Sequence, residues 1–204
     1  MSLSVADQAA LRRVLAIATN APAPVYSPSD DSFLMVDAIA QVSLTGRSVL
    51  DLGTGSGILG LYCATRGAKV TASDIDEAAI EHVHRTAEAL GLEINLLLSD
   101  LFSKISGRFD LILFNPPYLP SVLVNDRSVD GGTDGTMLAD RFLKELPEHL
   151  ERRAYALLLL SSVNHPASVR RRHRKLEFST LVRKSLFFEE LQVLRVRLRD
   201  DLTV

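Results

Sequence analysis

From Ser48 to Val163 the chain alternates short, mostly apolar runs with amphipathic stretches, and that alternation admits few folds. The apolar runs are Ser48–Leu52, Lys69–Ser73, Glu93–Leu98, Asp110–Asn115 and Ala154–Val163. They lack the strict in–out alternation of a strand with one wet face, so they suit a parallel sheet covered on both sides. Between them, Ile58–Thr65, Glu77–Leu90 and Met137–Leu150 carry helical spacing. In Glu77–Leu90 the residues Ile80, Val83, Ala87 and Leu90 share one face, Asp76 can cap the start, and Gly91 can end the helix. Strands alternating with helices predict an α/β doubly wound fold with helices on both faces. The last third departs from this rhythm. After a basic helix around Ser168–Leu176, the runs Leu181–Leu186 and Leu191–Leu198 lie a few residues apart, and Leu194, Val196 and Leu198 alternate with Arg195 and Arg197. That pattern predicts an antiparallel pair at the edge of an otherwise parallel, seven-stranded sheet.

The 204 residues, 47% of them hydrophobic, suffice for one globular domain with a full core. Residues 4–20 and 31–44 read as helices, joined by the stiff connector Asn20-Ala21-Pro22-Ala23-Pro24. We therefore divide the chain into an N-terminal helix and linker (1–24) and a main domain (25–204). A net charge of −2 excludes a globally electrostatic binder of nucleic acid or anionic membrane. Ala154–Leu160, the longest apolar run, is too short to span a bilayer, and Asp7, Arg12 and Arg13 break any signal-peptide pattern in residues 1–20. The single cysteine, Cys63, can form no internal disulfide, which points to a reducing, cytoplasmic setting.

Between the first strand and the next helix lies Asp51-Leu52-Gly53-Thr54-Gly55-Ser56-Gly57-Ile58. Alternate glycines let a ligand lie against the main chain of Gly53, Thr54 and Gly55 without a Cβ clash. The spacing differs from the dinucleotide fingerprint, and an acid precedes the loop. Asp51 repels a pyrophosphate but suits an ammonium group. Asp74 ends the second strand and suits ribose hydroxyls, and Asp100 ends the third, within reach of an adenine amino group. Ribose, adenine and an amino-acid ammonium together describe S-adenosyl-L-methionine better than a nicotinamide dinucleotide.

The fourth strand runs into Asn115-Pro116-Pro117-Tyr118. The Asn115 amide oxygen can accept one N–H, the Pro116 carbonyl another, and Tyr118 offers a face for stacking. Consecutive prolines stiffen the turn. Such a group can hold a flat, weakly nucleophilic NH₂. Adenine N6 and a glutamine side-chain amide both qualify.

With these motifs in place, the chain resembles the class I S-adenosylmethionine-dependent methyltransferases, with their Rossmann-like fold, over roughly residues 26–200. Tyr26-Ser27-Pro28-Ser29-Asp30-Asp31-Ser32-Phe33-Leu34 is similar to a segment of the HemK-type protein glutamine methyltransferases, with Asp30 where that pattern has Glu. Asp130-Gly131-Gly132-Thr133-Asp134-Gly135, followed by Asp140-Arg141-Phe142, is similar to that family's glycine loop and following helix. About two dozen residues precede Tyr26, as in the short archaeal and eukaryotic branch. The resemblance implies N5-methylation of the glutamine in the Gly-Gly-Gln motif of a peptide-chain release factor. It implies that Ser32, Asp51, Gly53, Asp74, Asp100 and Leu101 hold the cofactor, that Asn115 binds the acceptor amide, and that no metal is needed. It also implies a small zinc-binding activator protein on the edge strand Glu93–Leu98. The alternative is an adenine-N6 methyltransferase, against which stand the slightly acidic balance and the lack of a separate base-recognition domain.

Three further expectations concern the remaining polar stretches. Arg170-Arg171-Arg172-His173-Arg174-Lys175 reads as a solvated helix face. His82 and His84, two apart on a helix, read as surface residues. Residues 119–135 read as a loop that orders when substrate arrives.

Overall fold

The computed structural model describes residues 4–19, 25–118 and 135–199. In chain order its elements are α1 (Val5–Ala18), α2 (Asp30–Ile39), β1 (Ser48–Leu52), α3 (Ile58–Thr65), β2 (Lys69–Asp74), α4 (Glu77–Leu90) and β3 (Ile94–Leu98). There follow β4 (Phe109–Phe114), α5 (Met137–His149), β5 (Leu150–Ser161), α6 (Pro166–Arg172), β6 (Leu176–Ser185) and β7 (Glu190–Leu198). The strands form one seven-stranded sheet in the order β3-β2-β1-β4-β5-β7-β6. Strands β1 to β5 pair in parallel, and β7 is antiparallel to both β5 and β6. This is the doubly wound sheet with an antiparallel edge pair that the hydrophobic pattern predicts.

Alternate residues of the central strands feed two separate cores. Val49, Leu111, Leu113, Leu157 and Leu159 pack with the helices α1 to α4 on one face. Leu50, Leu52, Ile112, Phe114, Leu158 and Leu160 meet Phe142, Leu143 and Leu146 of α5 and Val169 of α6 on the other. Val14 and Ala18 of α1 are fully buried in the first core. Two-sided burial explains why these strands read as unbroken apolar runs.

Element boundaries differ from the sequence reading where charge masks a strand. β5 begins at Leu150, not Ala154, because Leu150 pairs with Phe109 before a bulge carries the chain through Glu151, Arg152 and Arg153. Those three are exposed, and Arg153 has φ 66°, so no apolar signal marks the segment. β6 starts at Leu176, which shortens the preceding basic helix to Pro166–Arg172.

The basic run is only partly a solvated face. Arg170 donates to Thr180 Oγ1 (2.9 Å) and Gln192 Oε1 (3.3 Å) on the neighbouring strands. Arg172 grips Asp140 of α5 through two bonds (3.1 and 2.7 Å) and His173 Nε2 meets the same carboxylate at 2.7 Å. Partial burial raises the Asp140 pKa, but these bonds and charges outweigh it and hold the carboxyl below its usual value. The run therefore straps α6 to α5. Likewise, of His82 and His84 only the second is a surface residue. His82 is 6% exposed, and its burial lowers the imidazole pKa against the influence of the Ala18 backbone in α1. The connector at residues 20–24 and the loop expected over 119–135, apart from Gly135, lie outside the described residues.

α4 has the caps its sequence announces. Asp76 accepts from the Ala78 N–H (2.9 Å), and Gly91 ends the helix at φ 65°. α3 starts from Gly57 at φ 78°, in the left-handed region open to glycine. A Cβ there would stand 2.7 Å from Val83 Cγ2 and 3.0 Å from Leu61 Cδ1. Gly57→Ala is therefore expected to cost about 1–3 kcal/mol by overpacking alone, read as a lower midpoint in urea denaturation.

Candidate active site

The carboxyl ends of β1 to β4 open onto a cavity of about 680 Å³, roofed on one side by the segment Val25–Ser32. Parallel strands that stop at a common level make such a crevice the natural ligand site of an open α/β sheet.

The floor is the loop after β1. Gly53 and Gly55 adopt φ 65° and 51°, so their backbone turns toward the cavity in a conformation that side chains disfavour. Asp51 organises this loop from below. It is 1% exposed and does not line the cavity, while its Oδ2 accepts from Thr54 Oγ1 (2.7 Å) and the Gly60 N–H (2.9 Å). Asp51, expected from sequence to meet a ligand ammonium, is placed here behind the cavity lining, where it grips loop and helix together. A Cβ at residue 60 would lie 3.0 Å from Asp51 Oδ2, so glycine there keeps the grip close.

Asp74 does face the cavity. Its two oxygens accept from the Gly55 N–H (2.9 Å) and the Asp76 N–H (3.0 Å), which fixes the carboxylate and leaves lone pairs for hydroxyl donors. Burial raises its pKa against the pull of those two bonds. Asp100 stands half-exposed at the rim, paired with Arg141 at 3.0 Å. Beside it Leu101 lines the cavity at φ 46°, a strained backbone for leucine. The buried Ser99 hydroxyl holds this turn by donating to the Leu101 carbonyl (2.9 Å) and accepting from the Lys104 N–H (3.1 Å). Sequence reasoning passed over Ser99, since a serine beside an aspartate carries no signal of its own.

The roof is drawn down by Asp31, another residue not singled out from sequence. Its carboxylate, 3% exposed, accepts from the Tyr26 hydroxyl (2.9 Å), Ser29 Oγ (2.8 Å) and Ser32 Oγ (3.1 Å). Tyr26 thereby lies across Gly55, its Cβ 3.7 Å from where a side chain would begin. Ser32 faces the cavity as expected, with its hydroxyl oriented by Asp31.

Asn115, Pro116, Pro117 and Tyr118 form the wall beyond Phe114. Asn115 Oδ1 is shielded from solvent and has no hydrogen-bond partner. A buried orphan acceptor costs roughly 1–3 kcal/mol, a cost that a donor arriving in the cavity would remove. Burial first, then the charges of Asp31, Glu189 and Asp30, raise the Tyr118 pKa, so it stays a neutral phenol and cannot act as a base. The residues expected to bind cofactor and acceptor thus share one cavity, Asp51 excepted.

A methyltransferase small domain matches residues 28–159. The chain belongs to that family. Its members are S-adenosylmethionine-dependent methyltransferases, and this chain is an enzyme of that class. A Methanocaldococcus jannaschii protein named as a protein N5-glutamine methyltransferase is 34% identical over 83% of this chain and 90% of its own length. Mouse methyltransferase HEMK2 is 30% identical, over 84% and 88%. A chain of the E. cuniculi Mtq2–Trm112 complex, described as responsible for methylating the eRF1 translation termination factor, superposes with a TM-score of 0.71. That chain is 25% identical, over 86% of this chain and 99% of its own. The cavity suits the cofactor of this family: a main-chain cradle at Gly53–Gly55, a fixed carboxylate at Asp74 and the Asp100–Leu101 turn lie around one space.

Burial pushes the Asp51 pKa up to about 6, against the hydrogen bonds of Thr54 and Gly60 and with a further push from Asp74. The folded protein therefore binds this proton more tightly than the unfolded chain. Its contribution to stability is fully present below the unfolded pKa of about 4 and is lost as pH rises through about 6. Asp51→Asn, which keeps an acceptor but cannot ionise, should gain stability relative to the parent between about pH 4 and about pH 7, measured by urea denaturation at both.

Proposed function

We propose that this protein transfers a methyl group from S-adenosylmethionine to the side-chain amide nitrogen of a glutamine, that of the Gly-Gly-Gln motif in a peptide-chain release factor. The observation that carries the acceptor reading is the orphaned Asn115 Oδ1 on the cavity wall. It is an acceptor awaiting an N–H, placed beside a proline whose carbonyl supplies a second. Relatives named for glutamine N5 methylation, matched over most of their length, support glutamine over adenine. Gly53, Thr54, Gly55, Asp74, Asp100, Leu101 and Ser32 would hold the cofactor. Bound there, S-adenosylmethionine supplies an electrophilic methyl group on a positively charged sulfur.

The chain's own residues then act mainly by orientation. Asn115 Oδ1 and the Pro116 carbonyl accept both N–H groups of the amide, drawing its lone pair out of conjugation and aiming it along one line. Pro116 and Pro117 limit backbone give in the clamp. Positive charge grows on the acceptor nitrogen during transfer, and the acids that bear on Tyr118 (Asp31, Glu189 and Asp30) make the local field negative. Neither Tyr26 nor Tyr118 is poised to take the proton, since both phenols are held in their neutral form. Proton loss to water after transfer completes the reaction in this reading.

We also place a partner on β3. Among the described residues this strand is the parallel edge of the sheet, with no strand on its outer side and Leu98 41% exposed. A groove of about 670 Å³ runs beside it, lined by Thr71, Glu93, Asn95 and Leu96 among others. An unpaired, partly apolar edge is a template for strand addition by another chain. The occupant we propose is a small zinc-binding activator protein, and the setting is the cytoplasm, where translation factors act.

Labelled cofactor incubated with a release factor should label it, and the Gln→Ala release factor should stay unlabelled. Label on adenine-containing oligonucleotides alone would overturn the glutamine reading. Asn115→Ala should lower transfer by about a hundredfold or more while leaving the cofactor Kd within about twofold; equal loss of both would assign Asn115 to the cofactor. For the edge, Leu98→Lys should abolish co-purification with the activator while the melting curve of the isolated chain stays unchanged.

A further inference from the structure

Asn164, in the 3₁₀ turn Ser162–Asn164 after β5, is 1% exposed and lies outside the cavity lining. Its side chain makes three hydrogen bonds. Oδ1 accepts from the Ser161 N–H (2.9 Å), which anchors the amide to the end of β5. Nδ2 donates to the Tyr118 carbonyl (2.7 Å) and to the Gly135 carbonyl (3.0 Å). One buried amide therefore ties the end of Asn115–Tyr118 to the approach of α5. It secures both to the central strand β5.

Gly135 shows how closely this junction is built. It sits at φ 69°, and a Cβ there would overlap the Tyr118 carbonyl oxygen and stand 2.6 Å from Asn164 Nδ2. Only a residue without a side chain lets the two carbonyls approach the same NH₂. Asn115 and Tyr118 flank two prolines that have no N–H of their own, so Pro116 and Pro117 cannot be held through donors. Among the described residues, the Asn164–Tyr118 bond is a side-chain tie that holds this four-residue segment from outside.

We infer that Asn164 is a positioning residue for methyl transfer: through the Tyr118 carbonyl it sets the position of the Asn115–Pro116 clamp. The inference rests on the reading of Asn115–Tyr118 as the acceptor clamp. Asn164→Asp keeps the acceptor for Ser161 but turns an oxygen toward each carbonyl in place of the N–H groups. Gly135→Ala disturbs the same junction from the opposite side, and Asn164→Ser is a milder third variant.

The expected result is a fall in kcat with the release factor of about tenfold or more in Asn164→Asp and Gly135→Ala, and a smaller fall in Asn164→Ser. The cofactor Kd should stay within about twofold of the parent, which separates positioning from a general loss of fold. The NMR signals of the Tyr118 backbone and ring, read on the cofactor-bound full chain, should shift and lose order in all three while those of β1 to β3 stay in place. Unchanged Tyr118 signals, or loss of cofactor affinity in step with kcat, would overturn the inference. Because this readout needs no acceptor, it judges Asn164 even if the release factor proves not to be the substrate; failure of the parent enzyme to label the release factor counts only against the substrate reading.

Discussion

The arrangement of the site follows from the hydrogen-bond register of four parallel strands. Leu52 pairs with Ser73 on one side and with Phe114 on the other, and Asp74 pairs with Leu98. The ladders thus stop at nearly one level, and the next residues of each strand, Gly53, Ile75, Ser99 and Asn115, emerge together at one rim. A slip of one residue in any of these strands would exchange its two apolar faces. Because both faces are buried in separate cores, such a slip is resisted from both sides. Packing that has no contact with a ligand therefore sets where the ligand-facing groups stand.

On that rim the two ends of the cavity, those proposed for cofactor and for acceptor, are built differently. The proposed cofactor end uses acids as internal fasteners: buried Asp51 under the glycine loop, half-buried Asp74 across Gly55 and Asp76, and buried Asp31 beneath Tyr26 and Ser32. Each carboxylate is costly to bury and offsets that cost by accepting two or more hydrogen bonds. The acceptor end uses proline stiffness and one buried amide, and it leaves an oxygen without a partner. Satisfied groups make a rigid cradle, whereas the unsatisfied one marks where a donor is expected.

Much of this was legible in the sequence wherever one local rule governed the outcome. Asp76 and Gly91 bound α4 because capping and the left-handed turn are short-range effects. Two-sided burial made the parallel strands visible as apolar runs. The start of β5 was not visible, because its pairing with Phe109 is followed by a bulge of charged residues. The grip of Arg172 and His173 on Asp140 spans more than thirty positions of sequence, and the tie from Asn164 to Tyr118 spans 46. A basic run or a lone asparagine looks the same whether it meets water or a distant partner. Asp51 shows the complementary limit: its position beside the loop was legible, but not that it faces inward.

The Asn164 junction also separates the two proposed halves of the site along the chain. The fasteners Asp31, Asp51 and Asp74 each join residues that precede Leu101, whereas the proposed acceptor clamp is tied to a residue beyond β5. A lesion confined to that junction would leave those fasteners in place, so the cofactor-bound fraction of such a preparation would overstate its active fraction.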